Sequence, residues 1–260
     1  MNDSTILTLE TLAANAWPAA EVVPLDGWRL RFHRGVTRRA NSVWPNRHEN
    51  GLALVDKLSS AEAFYRARGL PATFQICAAM EPPELDAELD RRGYAIISPT
   101  LVQTAEIAHM LSRLPPLRTF PAFDVELAEE YNDAWFAIYC AGEGITGHDA
   151  QVRREIMQRI ALPRGFALLS IDGTPAAAGL GVVENGWMGL FCLVTLQAYR
   201  RRGAAQALLR ALGIWAQLYA ARHVYLQVME QNIAARALYD RVGFHTAYRY
   251  HYREKHLPPG

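Results

Sequence analysis

Three consecutive arginines, Arg200, Arg201 and Arg202, stand before Gly203 and a run of small and apolar residues. A strand-like segment, residues 189–196, precedes them, and an apolar-periodic segment follows to about residue 221. The order strand, basic turn, helix directs unpaired backbone N–H groups and a helix N-terminus at one place, and both favour phosphate oxygens. Residues 199–209 therefore predict an anion-binding site. On its own, the stretch would be better explained as a solvated basic helix start.

The segments around this stretch supply the elements that must position it. Alternation and turn residues predict strands at 123–127, 165–171, 175–183, 189–196, 224–229 and 244–253, and helical periodicity predicts helices at 132–140, 149–160 and 232–241. The Asn-Gly pair at 185–186 indicates a hairpin turn, and Asp149 is the predicted N-cap of its helix. Tyr248, Tyr250 and Tyr252 share one face of the last strand.

The first half of the chain has similar elements. Helices are predicted at 9–17, 51–68 and 83–92, and strands at 28–32, 39–44, 73–77 and 101–107. Residues 111–123 carry three prolines and no clean period, which is typical of a linker. We therefore predict two domains, residues 1–114 and 123–260, joined by a linker at 115–122.

An internal repeat relates the two halves. The run at 84–94 parallels the run at 234–244, because each is a predicted helix closed by a glycine and an aromatic residue. We infer a duplicated α/β unit, although this pattern is common enough to arise by coincidence. In the first copy, residues 45–51 stand in place of the basic turn and lack its arginine-glycine-small pattern. We therefore expect the second copy to bind the anion and the first not to bind it.

Composition excludes several classes of protein. Half of the 260 residues are hydrophobic, a fifth are charged, and the formal net charge is +1, so no overall field draws the chain to nucleic acid or to a membrane. The first residues do not resemble a secretory signal, and no apolar run reaches the length of a membrane span. The three scattered cysteines make no metal-ligand spacing and suit a reducing compartment. We expect a cytoplasmic protein without a metal, and three arginines without interleaved aromatic residues do not make a nucleic-acid groove.

Two motifs together resemble the GNAT superfamily of acyl-CoA N-acyltransferases. The family's acyl-CoA motif, Gln/Arg-x-x-Gly-x-Gly/Ala on a strand, turn and helix, is matched by Arg200, Gly203 and Ala205. Its second motif, an asparagine before a helix that reads Ala-x-x-Leu-Tyr and ends in Gly-Phe, is matched by Asn232, Ala235, Leu238, Tyr239, Gly243 and Phe244. Either motif alone is a weak signal, whereas both in this order, separated by a strand, are specific.

The resemblance covers residues 123–253 well and the first half only as a degenerate copy. It implies the fold class α/β, or α+β by some schemes, with tandem GNAT-like domains that are each a mixed, mostly antiparallel twisted sheet flanked by helices. Gly27-Trp28 and residues 39–42 are similar to the N-terminal half of tandem members that have one active and one inactive half.

The resemblance also implies where coenzyme A would bind. Backbone amides from Arg201 to Gln206 would hold the pyrophosphate, and Gly203 would allow close approach because a Cβ there would crowd the ligand. The strand end at 193–195 would pair with the pantetheine arm as an added strand, or form a core strand edge. Asn232 would contact the cofactor arm, cap its helix, or do both. The full implied set is Leu193, Val194, Thr195, Arg200, Arg201, Arg202, Gly203, Ala204, Ala205, Gln206, Asn232 and Ala235.

Attack of an amine on a thioester needs three groups. The ammonium must lose a proton, the oxyanion needs a hydrogen-bond donor, and the leaving thiolate takes a proton. Tyr239 stands at the family position of the general acid, and the alternative is a buried aromatic residue packed against Tyr225 or Trp215. Backbone amides near Leu193 or Val194 are the expected oxyanion donors.

The sequence leaves the base open. Glu230 ends the strand of Leu226 and Val228, and alternation places it on their face near the C-terminal end of the sheet, where a cleft is expected. A solvated loop carboxylate explains Glu230 equally well. Glu143 and His148 are substrate-side candidates that are better explained as exposed residues, and a water chain is a further route for the proton.

A further group in the first half has two explanations. Arg38 and Arg39, with Asn41 and Ser42, would line an acceptor pocket between the halves, or they would pack and cap a strand end. We favour the second explanation.

These observations favour an acetyl-CoA-dependent N-acetyltransferase that modifies a primary amine by direct attack in a ternary complex. No cysteine occupies an evident nucleophile position, and Cys192 is expected to be core. The alternative is a non-catalytic module that senses acyl-CoA or regulates a partner. The expected partners are acetyl-CoA and an amine that the sequence does not identify, with no nucleic acid, membrane or metal, and a second copy of the chain is a further candidate partner.

Overall fold

Eleven strands form one sheet with helices packed on it in the computed structural model of the chain, which describes residues 2–49, 51–120 and 122–258. The helices are α1 Asp3–Ala16, α2 Leu54–Arg66, α3 Leu85–Arg91, α4 Ile107–Arg113, α5 Asp133–Glu143, α6 Gly147–Gln158, α7 Ala204–Leu218 and α8 Ile233–Arg241. The strands are β1 Glu21–Leu25, β2 Trp28–Phe32, β3 Val43–Trp44, β4 Ala72–Cys77, β5 Ala95–Glu106, β6 Phe123–Ala128, β7 Arg164–Ile171, β8 Thr174–Glu184, β9 Trp187–Thr195, β10 His223–Met229 and β11 His245–Lys255. The mixed, mostly antiparallel sheet confirms the predicted fold class.

The two halves of the chain exchange their last strands. The strand order is β1-β2-β3-β4-β11-β5-β10-β9-β8-β7-β6, and neighbours are antiparallel except for the pairs β3 with β4 and β9 with β10. The final strand β11 therefore lies between β4 and β5 of the first half and pairs with both. In return, β5 pairs with β10 of the second half. One continuous sheet results.

The same order of elements occurs twice along the chain. In each half a parallel strand pair is bridged by a helix, α2 or α7, and is followed by a shorter helix, α3 or α8, and a last strand. Gly93 and Gly243 follow these shorter helices with φ angles of 78° and 96°, where the missing Cβ of glycine is an advantage. The tandem architecture is therefore present. The boundaries at 114 and 123 stay a prediction, because the sheet is continuous across them.

Apolar side chains on the sheet pack into separate cores. One core contains Trp17, which follows α1, with Trp135 of α5 and Phe191 of β9. Another contains Leu212 of α7 with side chains of α4 and α8. A third core, around Phe74 of β4, packs α2 and α3 against the strands of the first half. Because helices cover the sheet of the second half on both faces, a site there opens at the strand ends. Within the described ranges, no helix is long and apolar enough to cross a membrane.

Several element boundaries predicted from the sequence are wrong. Helix α1 begins at Asp3 rather than at residue 9, because the Asn2 side chain caps its first turn. Strand β5 begins at Ala95, six residues before the predicted strand. The N-cap of α6 is Thr146, so Asp149, the predicted N-cap, lies within the first turn. The prediction also lacks β1 and α4.

Two local predictions are confirmed. Asn185 and Gly186 have positive φ angles of 49° and 77° in the turn between β8 and β9, as a hairpin of this type requires. Tyr248, Tyr250 and Tyr252 are all buried on one face of β11. What the sequence does not indicate is the position of β11 within the first half.

Arg253 joins the exchanged strand β11 to the first half. Its side chain, 7% exposed, donates from Nε to Asp86 Oδ1 and from Nη1 to Asp90 Oδ1, each at 2.7 Å, and from Nη1 to Tyr94 O at 3.0 Å. Partial burial alone would raise the pKa of Asp86, but hydrogen bonds from Arg253 and His251 lower it below its ordinary value. These contacts therefore stabilise the exchange when Asp86 is ionised.

We expect Arg253→Met to lower the free energy of unfolding by about 2 kcal/mol at pH 7, because it removes charge-assisted hydrogen bonds to two carboxylates. The pKa of Asp86 is lowered in the folded protein, so its contribution is present above the unfolded pKa and disappears as the pH falls below about 4. Urea unfolding followed by circular dichroism at pH 7 and pH 3.5 measures both effects. Arg241→Met, which removes an exposed arginine on α8, is the control. An equal loss for the two variants would show that Arg253 does not hold the exchanged strand.

Candidate functional site

Strands β9 and β10 part near the middle of the sheet. They pair in parallel only where 187–190 lie opposite 223–226. Beyond this point β9 continues along β8 to Thr195, and β10 continues along β5 to Met229. The edge of β9 that faces β10 therefore has no neighbouring strand over residues 191–195. An unpaired edge of this kind is a place where an extended ligand can add as a strand.

A β-bulge lies where the two strands part. Ala178 of β8 lies opposite Val194, whereas Leu180 lies opposite Phe191, so β9 has one extra residue between these pairs. Cys192 has a φ of 52°, which is uncommon for a residue with a Cβ. Bulges bend a strand and turn its backbone groups out of the ladder. No glycine or proline in this part of β9 signals the bulge in the sequence.

The turn between β9 and α7 presents a run of unpaired amides. Among the described residues, the backbone N–H groups of residues 201–206 donate no hydrogen bond to the backbone. Gly203, the N-cap of α7, has a φ of 95° and supplies no side-chain cap, and Arg201 has a φ of 65°. Unpaired N–H groups at a helix N-terminus and the three arginine side chains together suit a polyanion.

Gly203 also contacts the predicted linker. A Cβ built on Gly203 would lie 2.5 Å from Cε1 of Phe120, and Phe120 stacks on Phe123 with ring centroids 4.8 Å apart. We expected such a Cβ to crowd a ligand. The contact that the structure describes is instead with Phe120, and the positive φ by itself already favours glycine. The linker thus supports the turn of unpaired amides.

The first half fills the corresponding place with its own carboxylate. Before α2, Gly51 N donates to Asp26 Oδ1 at 2.9 Å, and Nζ of the buried Lys57 lies 3.2 Å from Asp26 Oδ2. Burial alone would raise the pKa of Asp26, but hydrogen bonds from Gly51 and Lys57 lower it. A phosphate would have to compete with this carboxylate. The arrangement therefore supports the expectation that the first copy does not bind an anion.

A cavity of about 430 Å³ opens beside the parted strands. Its walls come from β9, β10, α5, α6 and α8 of the second half, from residues 37–39 and β5 of the first half, and from the exchanged strand β11. Leu193, Asn232 and Ala235, three of the predicted cofactor residues, line it. The Asn232 side chain accepts a hydrogen bond from Ala235 N at 3.1 Å, so Asn232 caps α8 at the cavity wall.

The other predicted cofactor residues lie along β9 and the turn that follows it. Val194 is buried against Gly142, and Thr195 O accepts a hydrogen bond from Arg200 Nε at 3.2 Å. The guanidinium of Arg202 lies over the Tyr199 ring, 5.6 Å from its centroid. The first turn of α7 contains the remaining members, Ala204, Ala205 and Gln206. The predicted set therefore forms one continuous path from the turn to the cavity.

Tyr239 of α8 lines the same cavity. Its ring packs against Phe244, with centroids 5.5 Å apart, rather than against Tyr225 or Trp215. Burial, followed by the charge of Glu143, raises the pKa of Tyr239 to about 12. The phenol is therefore protonated at neutral pH and is able to donate a proton inside the cavity.

The structure does not bring Glu230 to Tyr239. Glu230 follows β10, accepts hydrogen bonds from Arg249 of β11, and is not among the described residues that line the cavity. Glu143, at the end of α5, does line the cavity. His148 lies outside it, exposed, with Nδ1 3.4 Å from Nη2 of Arg34. Glu143, which is exposed, is therefore the carboxylate that lines the same cavity as the phenol among the described residues.

The residues that sequence reasoning missed lie on elements that are distant along the chain. Thr100 of β5, Tyr139 of α5 and Arg153 of α6 line the cavity, with Tyr250 and Tyr252 of β11. Alternation in the sequence predicts that the tyrosines of β11 share one face, but it does not predict that they line this cavity, because that depends on the strand order. Arg153 has no motif of its own.

The group at residues 38–42 divides between the two explanations. Arg38 and Arg39 line the cavity. Asn41 instead packs the preceding turn, because its Oδ1 accepts from His33 N at 2.7 Å and its Nδ2 donates to Val36 O at 2.7 Å. Ser42 accepts from the buried Arg31. The cavity wall therefore includes the arginines, whereas their neighbours have a packing role.

The described ranges contain no group of three or more His, Cys, Asp or Glu side chains placed to hold a metal ion. The charged groups that face the cavity are arginines and Glu143. Its chemistry is accordingly that of guanidinium, carboxylate and phenol groups with backbone amides.

Comparison with known sequences gives three related findings. Residues 3–253 match the family model described as "Probable histone acetyltransferase Rv0428c C-terminal". The chain is 31% identical over 250 residues to the "Uncharacterized N-acetyltransferase YobR" of Bacillus subtilis, covering 96% of this chain and 98% of that one. It is 26% identical over 271 residues to the "Probable histone acetyltransferase Rv0428c" of Mycobacterium tuberculosis, covering 98% of this chain and 74% of that one. The likeness therefore spans both halves.

Solved structures share the fold over nearly the whole chain. A GCN5-related N-acetyltransferase from Kribbella flavida superposes with a TM-score of 0.70 at 15% identity, covering 98% of this chain and 95% of that one. A tandem GNAT protein from the clavulanic acid biosynthesis pathway superposes with a TM-score of 0.69 at 12% identity, covering 97% and 88%. These likenesses establish the GNAT fold in tandem arrangement.

We expect Gly203→Ala to lower the free energy of unfolding by about 2 to 3 kcal/mol, because alanine meets both the positive φ and the Phe120 ring. Gly173→Ala is the matched control, since Gly173 has a φ of 76° and no atom within 4 Å of the added Cβ, and it should lose about 1 kcal/mol. Urea unfolding measures both variants. Combining Gly203→Ala with Phe120→Ala should return part of the difference. Equal losses for the two single glycine variants would mean that Phe120 does not constrain the turn.

Proposed function

The chain belongs to the GNAT superfamily, in the family of the Rv0428c C-terminal acetyltransferase domain, and we propose that it acetylates a primary amine with acetyl-CoA as donor. The observation that carries the proposal is the run of unpaired amides at 201–206, which leads along an unpaired strand edge to a cavity with Tyr239. The name of the Mycobacterium tuberculosis relative refers to histones, so a protein lysine is one acceptor class beside small amines.

The chain's residues suit the charge and the amide groups of coenzyme A. The N–H groups of residues 201–206, with Arg200, Arg201 and Arg202, suit the pyrophosphate. The unpaired edge at 191–195 suits the amide-bearing pantetheine arm, with Asn232 and Ala235 on the opposite wall. Acetyl-CoA would supply the activated acyl group as a thioester.

Tyr239 is the proposed general acid. It holds a proton at its phenol oxygen inside the cavity, and its pKa of about 12 keeps that proton in place at neutral pH. A phenol of raised pKa is a weak acid in water. Next to the leaving sulfur, its hydroxyl would donate a hydrogen bond to the thiolate as it forms, although its pKa lies above the range that is ideal for general acid catalysis.

Backbone amides at the bulge are the proposed oxyanion donors. The extra residue at Cys192 takes Leu193 and its neighbours out of the regular ladder with β8. Donors fixed in this way need no reorganisation when charge develops on the acyl oxygen. Side-chain substitution would not remove them.

Direct attack by the amine is favoured over a covalent enzyme intermediate. Cys192 is the cysteine that lines the cavity in the described chain, and burial raises the pKa of its thiol to about 12. A thiolate is the nucleophilic form of cysteine, and this pKa keeps Cys192 a thiol at neutral pH. The amine is therefore the proposed nucleophile.

Glu143 is the proposed acceptor of the amine proton, directly or through water. It lines the same cavity as Tyr239, and its charge raises the pKa of Tyr239, whereas Glu230 is paired with Arg249. A carboxylate here also attracts the ammonium form of the acceptor, so that binding and deprotonation occur at one place.

The proposed function is tested by release of free thiol from acetyl-CoA across a panel of primary amines, with coenzyme A binding measured separately by calorimetry. We expect acetylated product and free thiol in equal amounts with at least one amine class. Tight coenzyme A binding without turnover on any amine would favour a non-catalytic acyl-CoA sensor.

We expect Tyr239→Phe to reduce kcat by about a hundredfold, because it removes the general acid and little of the ring's packing. The affinity for coenzyme A should change by less than about twofold, since the phosphate contacts lie in the 201–206 turn. Tyr219→Phe, a partly exposed tyrosine at the end of α7 outside the cavity, is the matched control and should retain wild-type kcat. An unchanged kcat in Tyr239→Phe would exclude the acid role.

The pH profile provides a separate test of Tyr239. Because its pKa is raised to about 12, the phenol stays protonated through pH 10, and kcat should show no alkaline decline below that value from loss of the acid. Steady-state kinetics between pH 6 and pH 10 measure this. A decline with a midpoint near pH 9 that is absent in Tyr239→Phe would still identify Tyr239 as the acid, but it would show that its pKa is not raised to about 12. A decline near pH 9 that persists unchanged in Tyr239→Phe would belong to another group.

A further inference from the structure

The cavity beside the parted strands has an excess of positive side chains. Arg38, Arg39 and Arg153 line it, and Glu143 is the one carboxylate among the described lining residues. Arg38 is compensated outside the cavity by Glu254, whose Oε2 accepts from Arg38 Nε at 3.0 Å. Two guanidinium groups, those of Arg39 and Arg153, are therefore left without a carboxylate partner in the described chain.

Arg39 is held by aromatic rings. Its guanidinium carbon lies 4.7 Å from the centroid of the Trp17 ring and 5.6 Å from that of Phe191, and Phe191 itself lines the cavity. Stacking engages the face of the guanidinium and leaves its N–H edges available. A planar anion in the cavity could take up those donors.

Arg153 contributes an unsatisfied donor. It lies between this cavity and a second cavity of about 360 Å³, and its Nη1 donates to the Tyr139 hydroxyl at 2.6 Å. Its Nε is buried and has no hydrogen-bond partner among the described residues. The neighbouring Arg154, in contrast, has Asp133 at 3.5 Å. A buried charged donor without a partner is costly, and an anionic ligand would relieve that cost.

The charges of Arg39 and Arg153 affect the pKa values of the same side chains that line the cavity. Burial raises the pKa of Tyr139, and the charges of Arg153 and Arg39 both oppose that rise. The charges of Arg39 and Arg153 also lower the pKa of Cys192, whereas the charge of Glu143 raises it. The charge of Glu143 also raises the pKa of Tyr239. The cavity thus has a buried arginine donor beside Tyr139 and, among the described lining residues, one carboxylate, that of the exposed Glu143 at the end of α5.

We propose that the acceptor is a small amine that also carries a carboxylate, which Arg39 and Arg153 bind while the ammonium lies at Glu143 and Tyr239. The inference rests on the proposed N-acetyltransferase function of this site. A guanidinium pairs with a carboxylate through parallel N–H groups. A polycationic peptide would place like charges against Arg39 and Arg153, which disfavours that acceptor.

The test compares amines that differ by one anionic group. Free-thiol release is measured with γ-aminobutyrate against butylamine and with lysine against cadaverine, and a lysine-rich peptide is the basic competitor. We expect kcat/KM to favour the carboxylate member of each pair by about 30-fold or more, which corresponds to loss of one buried ion pair. O-phosphoethanolamine against ethanolamine shows whether a phosphate serves as well as a carboxylate.

Substitution of the arginines tests which residues cause the preference for carboxylate amines. Arg39→Met and Arg153→Met should each reduce the preference by about tenfold or more, mainly through KM for the carboxylate amine. Arg29→Met and Arg154→Met are matched controls, because these guanidinium groups lie over Trp44 at 4.7 Å and Phe136 at 4.0 Å, outside the cavity lining. Both controls should keep the wild-type preference. Arg39→Lys, which keeps the charge, should keep more of the preference than Arg39→Met.

A measurement on the wild-type protein does not depend on how the variants fold. Butyrate has the carboxylate and lacks the amine, so it should inhibit competitively against γ-aminobutyrate, whereas butanol should not. Absence of inhibition by butyrate would overturn the acceptor assignment.

Failure of this inference differs from failure of the proposed function. If butylamine, cadaverine or the lysine-rich peptide is acetylated as well as the carboxylate amines, the N-acetyltransferase function stands and the acceptor assignment is wrong. If no amine releases thiol while coenzyme A still binds, the proposed function itself is wrong and the acceptor assignment fails with it.

Discussion

The pairing of β11 between β4 and β5 is the constraint on which the rest of the structure depends. It gives β10 a partner, because β5 then lies against β10 rather than against its own half. It also brings Thr100 of β5 and the tyrosines Tyr250 and Tyr252 of β11 to the cavity of the second half. The first half is therefore part of the cavity. It contributes a wall that the second half, folded with its own last strand, would lack.

The segments before α2 and α7 differ in whether a carboxylate of the chain accepts hydrogen bonds from their amides. Amides at the start of a helix need acceptors that the helix does not provide. Before α2, Gly51 N donates to the Asp26 carboxylate, and Lys57 compensates the charge of Asp26 within the fold. At α7 none of the described side chains accepts in this way, and Gly203 lies close to the Phe120 ring. An anion would therefore meet no competing carboxylate among the described residues there, which is the physical difference between the two copies.

The parts of this arrangement that were predictable are local. The amide turn, the Asn232 cap and the tyrosine stripe of β11 each follow from residue types at short spacing. The strand exchange depends on pairing between strands that are far apart in the chain. Alternation predicts which side chains share a face of a strand, but it does not predict which strands pair. The bulge at Cys192 has no turn residue to mark it. The same limit explains Glu230, whose face was inferred from alternation but whose charge is taken up by Arg249 of the exchanged strand.

Burial decides which groups in the cavity carry charge. Tyr239 and Cys192 both have pKa values raised to about 12, so they are neutral at physiological pH and contribute dipoles alone. The field inside the cavity is then set by Arg39, Arg153 and Glu143, in surroundings where charges interact more strongly than in water. These three come from three different elements, and Arg39 comes from the first half. The first half thus contributes charge as well as shape to the cavity of the second half, although its own segment before α2 is paired with the Asp26 carboxylate.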